Sequence, residues 1–213
     1  MEKELNSFSR GLRDGIPICL GYLSVAFAFG IFTVGHGLTI WEAVMISMTN
    51  VTSAGQLAAV PIIAGGGSLF ELALTQFVIN MRYSLMSVSL SQRLSKSVRL
   101  LDRFLISFVN TDEVFAVAIS KNAPLGRKYL YGLTLTPYLG WSAGTLLGSA
   151  AGNILPATVV SALGIAIYGM FIAIIVPPAK KSLPTLLCIL SAIALSCAFN
   201  LFPCFRKSRA ALQ

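Results

Sequence analysis

The feature that most constrains this chain is a succession of apolar stretches from Ile16 to about residue 203. Each is close to the roughly 20 residues that a helix needs to cross the hydrocarbon core of a bilayer, and short loops part them. Seven such stretches can be read, at about 16–34, 40–64, 68–91, 104–120, 131–152, 159–178 and 183–203. Composition agrees: 55% of residues are hydrophobic, only 11% are charged, and the mean hydropathy is +0.78. Soluble domains carry about 25% charged residues, so a soluble enzyme, a disordered chain and a nucleic-acid-binding domain are all excluded. The sequence predicts an all-α fold, a polytopic transmembrane bundle of about seven hydrophobic segments. Residues 1–15 form a polar N-terminal segment, 16–203 the membrane domain and 204–213 a short basic tail.

Sixteen Lys and Arg against eight Asp and Glu give a net charge of +8. In a soluble protein that excess suggests nucleic acid. Here the basic residues cluster between apolar stretches, as the positive-inside rule places them on the cytoplasmic side. Cys19, Cys188, Cys197 and Cys204 show no CxxC pairing and read as reduced packing residues. One histidine, His36, is too few for an imidazole metal site and reads as an exposed loop residue, so no metal or cofactor is expected. The first stretch opens with Pro17 in its first turn, where a missing N–H costs little, is long enough to span and lacks a clear small-residue cleavage site.

Simple alternation of crossings conflicts with the loops. Arg93, Lys96, Arg99 and Arg103 precede the stretch at 104–120, and Lys121, Arg127 and Lys128 follow it. The conflict disappears if 104–120 enters and leaves on the cytoplasmic side and 40–64 does the same from outside. Both carry polar, helix-weakening middles, and irregular backbone at membrane depth is tolerated where it is buried in protein or lines a cavity. Two of the segments are therefore expected to be broken or re-entrant, with the N-terminus inside. Transporters are often built from inverted repeats, but no sequence self-similarity marks one here.

Four constellations stand out. The first is Thr49 to Gln56, where Asn50, Thr52, Ser53 and Gln56 supply donors and acceptors and Gly55 loosens the helix. Freed backbone groups and half-helix N-termini suit a zwitterion and its carboxylate; interhelical hydrogen bonding is the plainer use. The second is Asn110-Thr111-Asp112-Glu113. A carboxylate at mid-bilayer costs about 2.5–3.5 kcal/mol, so Asp112 and Glu113 are candidate proton-coupling groups, with a static ion pair as the alternative. The third is Asn80 and Arg82, the latter deep in its stretch and able to grip a carboxylate bidentately, either the substrate's or that of Asp112 or Glu113. The fourth is Gly140, Gly144, Gly148 and Gly152, a glycine stripe on one helix face that reads as a packing seam. Trp141 and Tyr138 lie off that stripe, after Pro137, which is expected to break the helix.

The ordered set of these motifs resembles the AzlC/YgaZ branched-chain amino acid permeases. It comprises Pro17, Gly21 and Phe29-Gly30; Ser53-Ala54-Gly55-Gln56; Asn80-Met81-Arg82-Tyr83; Thr111-Asp112-Glu113-Val114-Phe115-Ala116; and Tyr138, Trp141, Gly144-Thr145 and Gly148. Order and spacing match from about residue 9 to residue 178. Two departures are visible: Tyr83 stands where the family has a histidine, and the C-terminal end reads as truncated or diverged. The resemblance implies a secondary transporter, not an enzyme, exporting branched-chain or other small neutral amino acids across a bacterial inner membrane. It implies proton coupling, there being no GxxxxGK[ST] loop for ATP. A small AzlD/YgaH-type membrane subunit is the implied partner, and homo-oligomerisation is compatible with the same role. The implied substrate contacts are Asn50, Thr52, Ser53, Gly55, Gln56, Asn80, Arg82 and Trp141. An uncoupled channel and a non-transporting assembly subunit are the alternatives.

Overall fold

The computed structural model describes residues 4–152, 154, 158, 176, 179, 180 and 182–201. The chain divides into two compact units, Met1–Gly164 and Ile165–Gln213. In the second, one long helix is described, Leu183–Leu201. The stretch expected at 159–178, apart from residue 176, lies outside the described residues, as do Cys204 and the basic tail.

Among the described residues every regular element is a helix. In the first unit these are α1 (Phe8–Gly35), α2 (Ile40–Thr49), α3 (Ser53–Ala64), α4 (Leu69–Asn80), α5 (Arg82–Ser91), α6 (Leu100–Phe108), α7 (Asp112–Ile119) and α8 (Arg127–Gly152). Of the described helices, α1 alone is both long and apolar enough to cross a membrane unaided; α2, α3 and α4 are apolar but shorter. The helix of the second unit, α9, is apolar over Leu183–Cys197.

Three sequence expectations are corrected here. α1 opens at Phe8 rather than Ile16, because Ser7 caps it by accepting from the Arg10 amide and because Gly11 and Gly15 pack on the start of α8. Pro17 consequently lies inside the helix, not in its first turn. Pro137 does not break α8 but sits within it. A Cβ on Gly15 would approach the Pro137 ring to 3.2 Å and the Leu133 carbonyl to 3.0 Å. The missing side chain of α1 thus makes room for the proline and for the carbonyl it leaves unpaired.

α1 and α8 lie side by side and run in the same direction. The atoms nearest to Gly132, Gly140, Gly144 and Gly148 belong in turn to Phe8, Cys19, Leu23 and Phe27. A Cβ on Gly140 would lie 2.6 Å from Cys19 Sγ, one on Gly144 2.5 Å from the Leu23 carbonyl oxygen, and one on Gly152 2.5 Å from Val34 Cγ2. Gly30 of α1 reciprocates, its absent Cβ falling 2.5 Å from the Ser149 amide. These glycines let two backbones touch, the close approach that small residues permit between membrane helices.

Hydrogen bonds fix which elements share an end. Leu5 pairs with Leu125 and Leu94 with Leu125 in short bridges, and Glu4 accepts from Ser95 and Ser97. The starts of α1, α6 and α8 and the finishes of α5 and α7 therefore meet at one end. With 9 and 8 residues, α6 and α7 are each far too short to span, so 100–119 leaves that end and returns to it. α2 starts at the opposite end, where Leu38 bonds back to Thr33, and descends until Ser47 meets Thr145 of α8. α3 turns back towards α4 through Gly65–Ser68, with Gly66 at φ +68°. Met81 keeps helical dihedrals (φ −57°, ψ −31°), so α4 and α5 continue one course back to the first end.

The two halves of this unit share one plan in opposite senses. A long helix is followed by a pair of short ones that re-enters from the end the long helix has just reached. Ser7 and Ser68 both cap the first element by accepting from the chain three residues on. Glu42 and Asp102 both return a carboxylate to the start of the second. Asn50 and Asn110 sit at the two breaks, and Thr52 and Thr111 are the N-caps that resume the helix. This is an inverted repeat, carried by capping and break residues rather than by extended identity.

Candidate functional site

Both breaks fall midway along the unit, and the residues around them join into one polar layer. In the first break, Gln76 of α4 is the organiser. Its Nε2 donates to the Gly55 carbonyl at 2.8 Å, which turns its Oε1 to accept from Asn50 Nδ2 at 2.9 Å and Asn80 Nδ2 at 3.3 Å. Gly55 is needed for that approach, since a Cβ there would lie 2.6 Å from Gln76 Oε1 and 2.5 Å from Thr52 Cγ2. No side chain caps the first turn of α3, because Thr52 Oγ1 instead accepts from Tyr83 at 3.2 Å. The amides of that turn are left available to an anion.

The second break repeats this with charge added. Thr111 Oγ1 caps α7 by accepting from the Val114 amide and also accepts from the Tyr22 hydroxyl at 2.6 Å. Tyr22 of the first half thus holds the break of the second, and Tyr83 of the second half holds the break of the first. The Tyr22 hydroxyl also reaches Glu113, its single proton shared between the Thr111 and Glu113 oxygens. Asp112 pairs with Arg82 at 2.6 Å, both side chains about half exposed at 48% and 50%. Arg82 further donates to the Tyr83 hydroxyl and lies 4.9 Å from that ring's centroid. Of the two partners the sequence offered Arg82, it is bonded to Asp112.

Between the breaks lies a cavity of about 180 Å³, lined by Thr49–Thr52, Asn80, Tyr83, Ser107, Phe108 and Asn110. Among the described residues four buried side-chain polar atoms have no hydrogen-bond partner: Gln56 Oε1, Asn80 Oδ1, Asn110 Oδ1 and Trp141 Nε1. An unpaired buried polar atom costs about 1–3 kcal/mol, and two of the four belong to residues that line this cavity, Asn80 and Asn110. Trp141 is fully buried and meets Tyr22 edge to face, with ring centroids 4.9 Å apart.

The candidates drawn from the sequence distribute as follows. Asn50, Gly55 and Asn80 converge on Gln76, Thr52 meets Tyr83, and Ser53 is the first residue of α3. Arg82 and Asp112 are paired, and Glu113 and Trp141 share Tyr22. Gln56 is buried at 1% exposure in the first turns of α3. Gly140, Gly144, Gly148 and Gly152 line the α1–α8 contact and stand apart from the polar layer. Sequence reasoning passed over Tyr22, and tyrosine in an apolar stretch gives no signal. Gln76 was visible as a polar residue in such a stretch, and its organising role follows only from the fold.

Comparison with known proteins gives the family. The model described as "AzlC protein" matches residues 17–155. The inner membrane protein YgaZ of Escherichia coli is 30% identical over 195 residues, covering 88% of this chain and 78% of that protein. A membrane protein of Archaeoglobus fulgidus, described as uncharacterised, is 33% identical over 175 residues, 81% of this chain and 76% of its own. A similar one from Helicobacter pylori is 24% identical over 156 residues, covering 72% and 68%. No solved structure matches. The family match takes in the glycine seam, both breaks and every residue of the polar layer, and this chain is a membrane protein that belongs to the AzlC family.

Proposed function

We propose that this chain is a secondary transporter that exports branched-chain or other small neutral amino acids across a bacterial inner membrane, coupled to protons. The observation that carries the reading is the cavity where two oppositely entering breaks meet, lined by amides whose buried oxygens lack partners. Helix breaks at the midplane of inverted repeats are where secondary transporters bind small solutes. On this reading α1, α4–α5 and α8 cross the bilayer, and α2–α3 and α6–α7 re-enter from opposite faces. The basic end, with Arg93, Lys96, Lys121 and Lys128, faces the cytoplasm. A small AzlD/YgaH-type subunit works beside it.

Arg82 and the uncapped start of α3 receive the substrate carboxylate. As that carboxylate takes the place of Asp112 on Arg82, a proton neutralises Asp112, and Arg82 faces one carboxylate throughout the exchange. Apolar neighbours such as Val51 and Phe108 take the aliphatic side chain. The test is export of valine, leucine and isoleucine from dipeptide-loaded cells expressing this chain, its Asp112→Asn variant or an empty vector, each with and without the small subunit. Faster export that disappears in Asp112→Asn at equal membrane abundance is the expected result. Export untouched by the substitution would remove Asp112 from the mechanism and favour an uncoupled path.

A further inference from the structure

We propose that the amide oxygens of Asn80 and Asn110, both from the second half of the repeat, receive the ammonium group of the substrate. The proposal rests on the transporter reading and assigns within it a role that the charges of Asp112 and Glu113 suggest for those carboxylates. Those carboxylates are already engaged, Asp112 by Arg82 and Glu113 by Tyr22. The free acceptors of the cavity lie elsewhere.

The orientation of Asn80 follows from a chain of hydrogen bonds. The Gly55 carbonyl can only accept, so it fixes the amide face that Gln76 presents; Gln76 Oε1 can then only accept, so Asn80 must offer it Nδ2. Asn80 Oδ1 is left over, buried and without a partner. Asn110, 3% exposed, directs Nδ2 towards Ser87 Oγ at 3.5 Å, and its Oδ1 is likewise buried and unpartnered. Both residues line the same cavity. A ligand that satisfies them must bring several diverging donors and no acceptor at that point, which describes an ammonium group with its three N–H bonds. With neutral amides as its acceptors, the cavity lining adds no charge of its own. Such a site matches a zwitterion and disfavours a purely cationic or anionic relative.

The test is ligand binding to the purified full-length chain in nanodiscs, read as displacement of radiolabelled L-leucine. Unlabelled L-leucine is compared with 4-methylpentanoate, the same molecule without its amine, and with sodium chloride at constant ionic strength. L-leucine is expected to compete about tenfold or more better than 4-methylpentanoate. Asn80→Leu and Asn110→Leu should each weaken L-leucine about tenfold, the scale of one hydrogen bond to a charged donor, without weakening 4-methylpentanoate. Asn110→Asp keeps an acceptor in place, since the Ser87 hydroxyl that faces the lost Nδ2 can donate instead; it should retain L-leucine binding, which separates lost recognition from lost folding. Equal competition by the two ligands, or equal losses for both in the leucine variants, would overturn the ammonium assignment while leaving the transporter reading intact. Sodium-dependent stabilisation that vanishes in these variants, with L-leucine binding unchanged, would overturn it in favour of a free cation. Absence of any leucine binding by the wild-type chain, alone or with its small subunit, would overturn both readings.

Discussion

In the half that runs from Phe8 to Ala64 the helix break is neutral, held by Gln76 and Tyr83 and closed with amide and hydroxyl groups. In the half from Leu69 to Ile119 the equivalent break carries Asp112 and Glu113, held by Arg82 and Tyr22. Both halves meet the same backbone requirement with the same device, a threonine N-cap bonded to a tyrosine of the other half. Symmetry supplies the cavity and the paired hinges. The departure from symmetry supplies the charge, since Gly21 and Ser53 stand near the places that Arg82 and Asp112 occupy in the second half. On the proposed transport mechanism the two halves provide matching routes to the site, and the second alone holds the proton.

Three sets of variants break or sharpen that comparison. The largest effect is expected where a tyrosine holds both a threonine and a carboxylate. Tyr22→Phe strips the partner from Glu113 and from Thr111 and should cost about 1–3 kcal/mol. Tyr83→Phe, which releases a single neutral hydroxyl, should cost about 0.5–1.5 kcal/mol. Thermal unfolding of both proteins in one detergent measures the difference, and equal losses would show that charge does not distinguish the breaks. Next comes Arg82→Gln. Because the pair with Asp112 is half exposed, its stability cost should stay near or below about 1 kcal/mol, whereas export should fall to background. Loss of folding with export per molecule preserved would reduce Arg82 to a strut.

The smallest effect belongs to the end that both halves share. There the Ser97 and Ser95 hydroxyls hold the Glu4 carboxyl below its usual range. A depressed folded value means that this contribution is present above the unfolded glutamate value and is lost as pH falls through the folded one. Amide protection at Leu5, Ser95 and Leu125, taken relative to the intrinsic exchange rate at each pH, should therefore fall on acidification below the ordinary glutamate range, and Glu4→Gln should show the lower protection already at neutral pH. Exchange indifferent to both changes would detach Glu4 from the latch.

Much of this was legible from the residues. Polar middles at Thr49–Gln56 and Asn110–Glu113 sit in stretches otherwise apolar, and a chain in lipid cannot leave such groups on a smooth helix. The basic loops on either side of 104–120 required that segment to return to its own side, and the bridges among Leu5, Leu94 and Leu125 place both its ends together. The repeat was hidden because its matched residues cap and break helices, while the intervening side chains pack against different neighbours and share no pattern. The prolines misled for a related reason: a proline's cost depends on what faces it, and the glycine opposite Pro137 lies more than a hundred residues away in sequence. Paired assignments such as Arg82 with Asp112 could be narrowed to alternatives but not chosen, since nothing in a linear pattern sets the depth at which two helices cross.

The parallel contact of α1 and α8 has a mechanical consequence. With backbone against backbone at Gly11, Gly30, Gly132, Gly144 and Gly148, intermediate offsets would drive carbonyls into side chains, so the two helices can re-register only in whole-turn jumps of about 5.4 Å. They form a keyed shaft. Any rocking that opens the cavity first to one side and then to the other is left to the two short-helix pairs and to the junction at Met81, turning about an axle that does not slip.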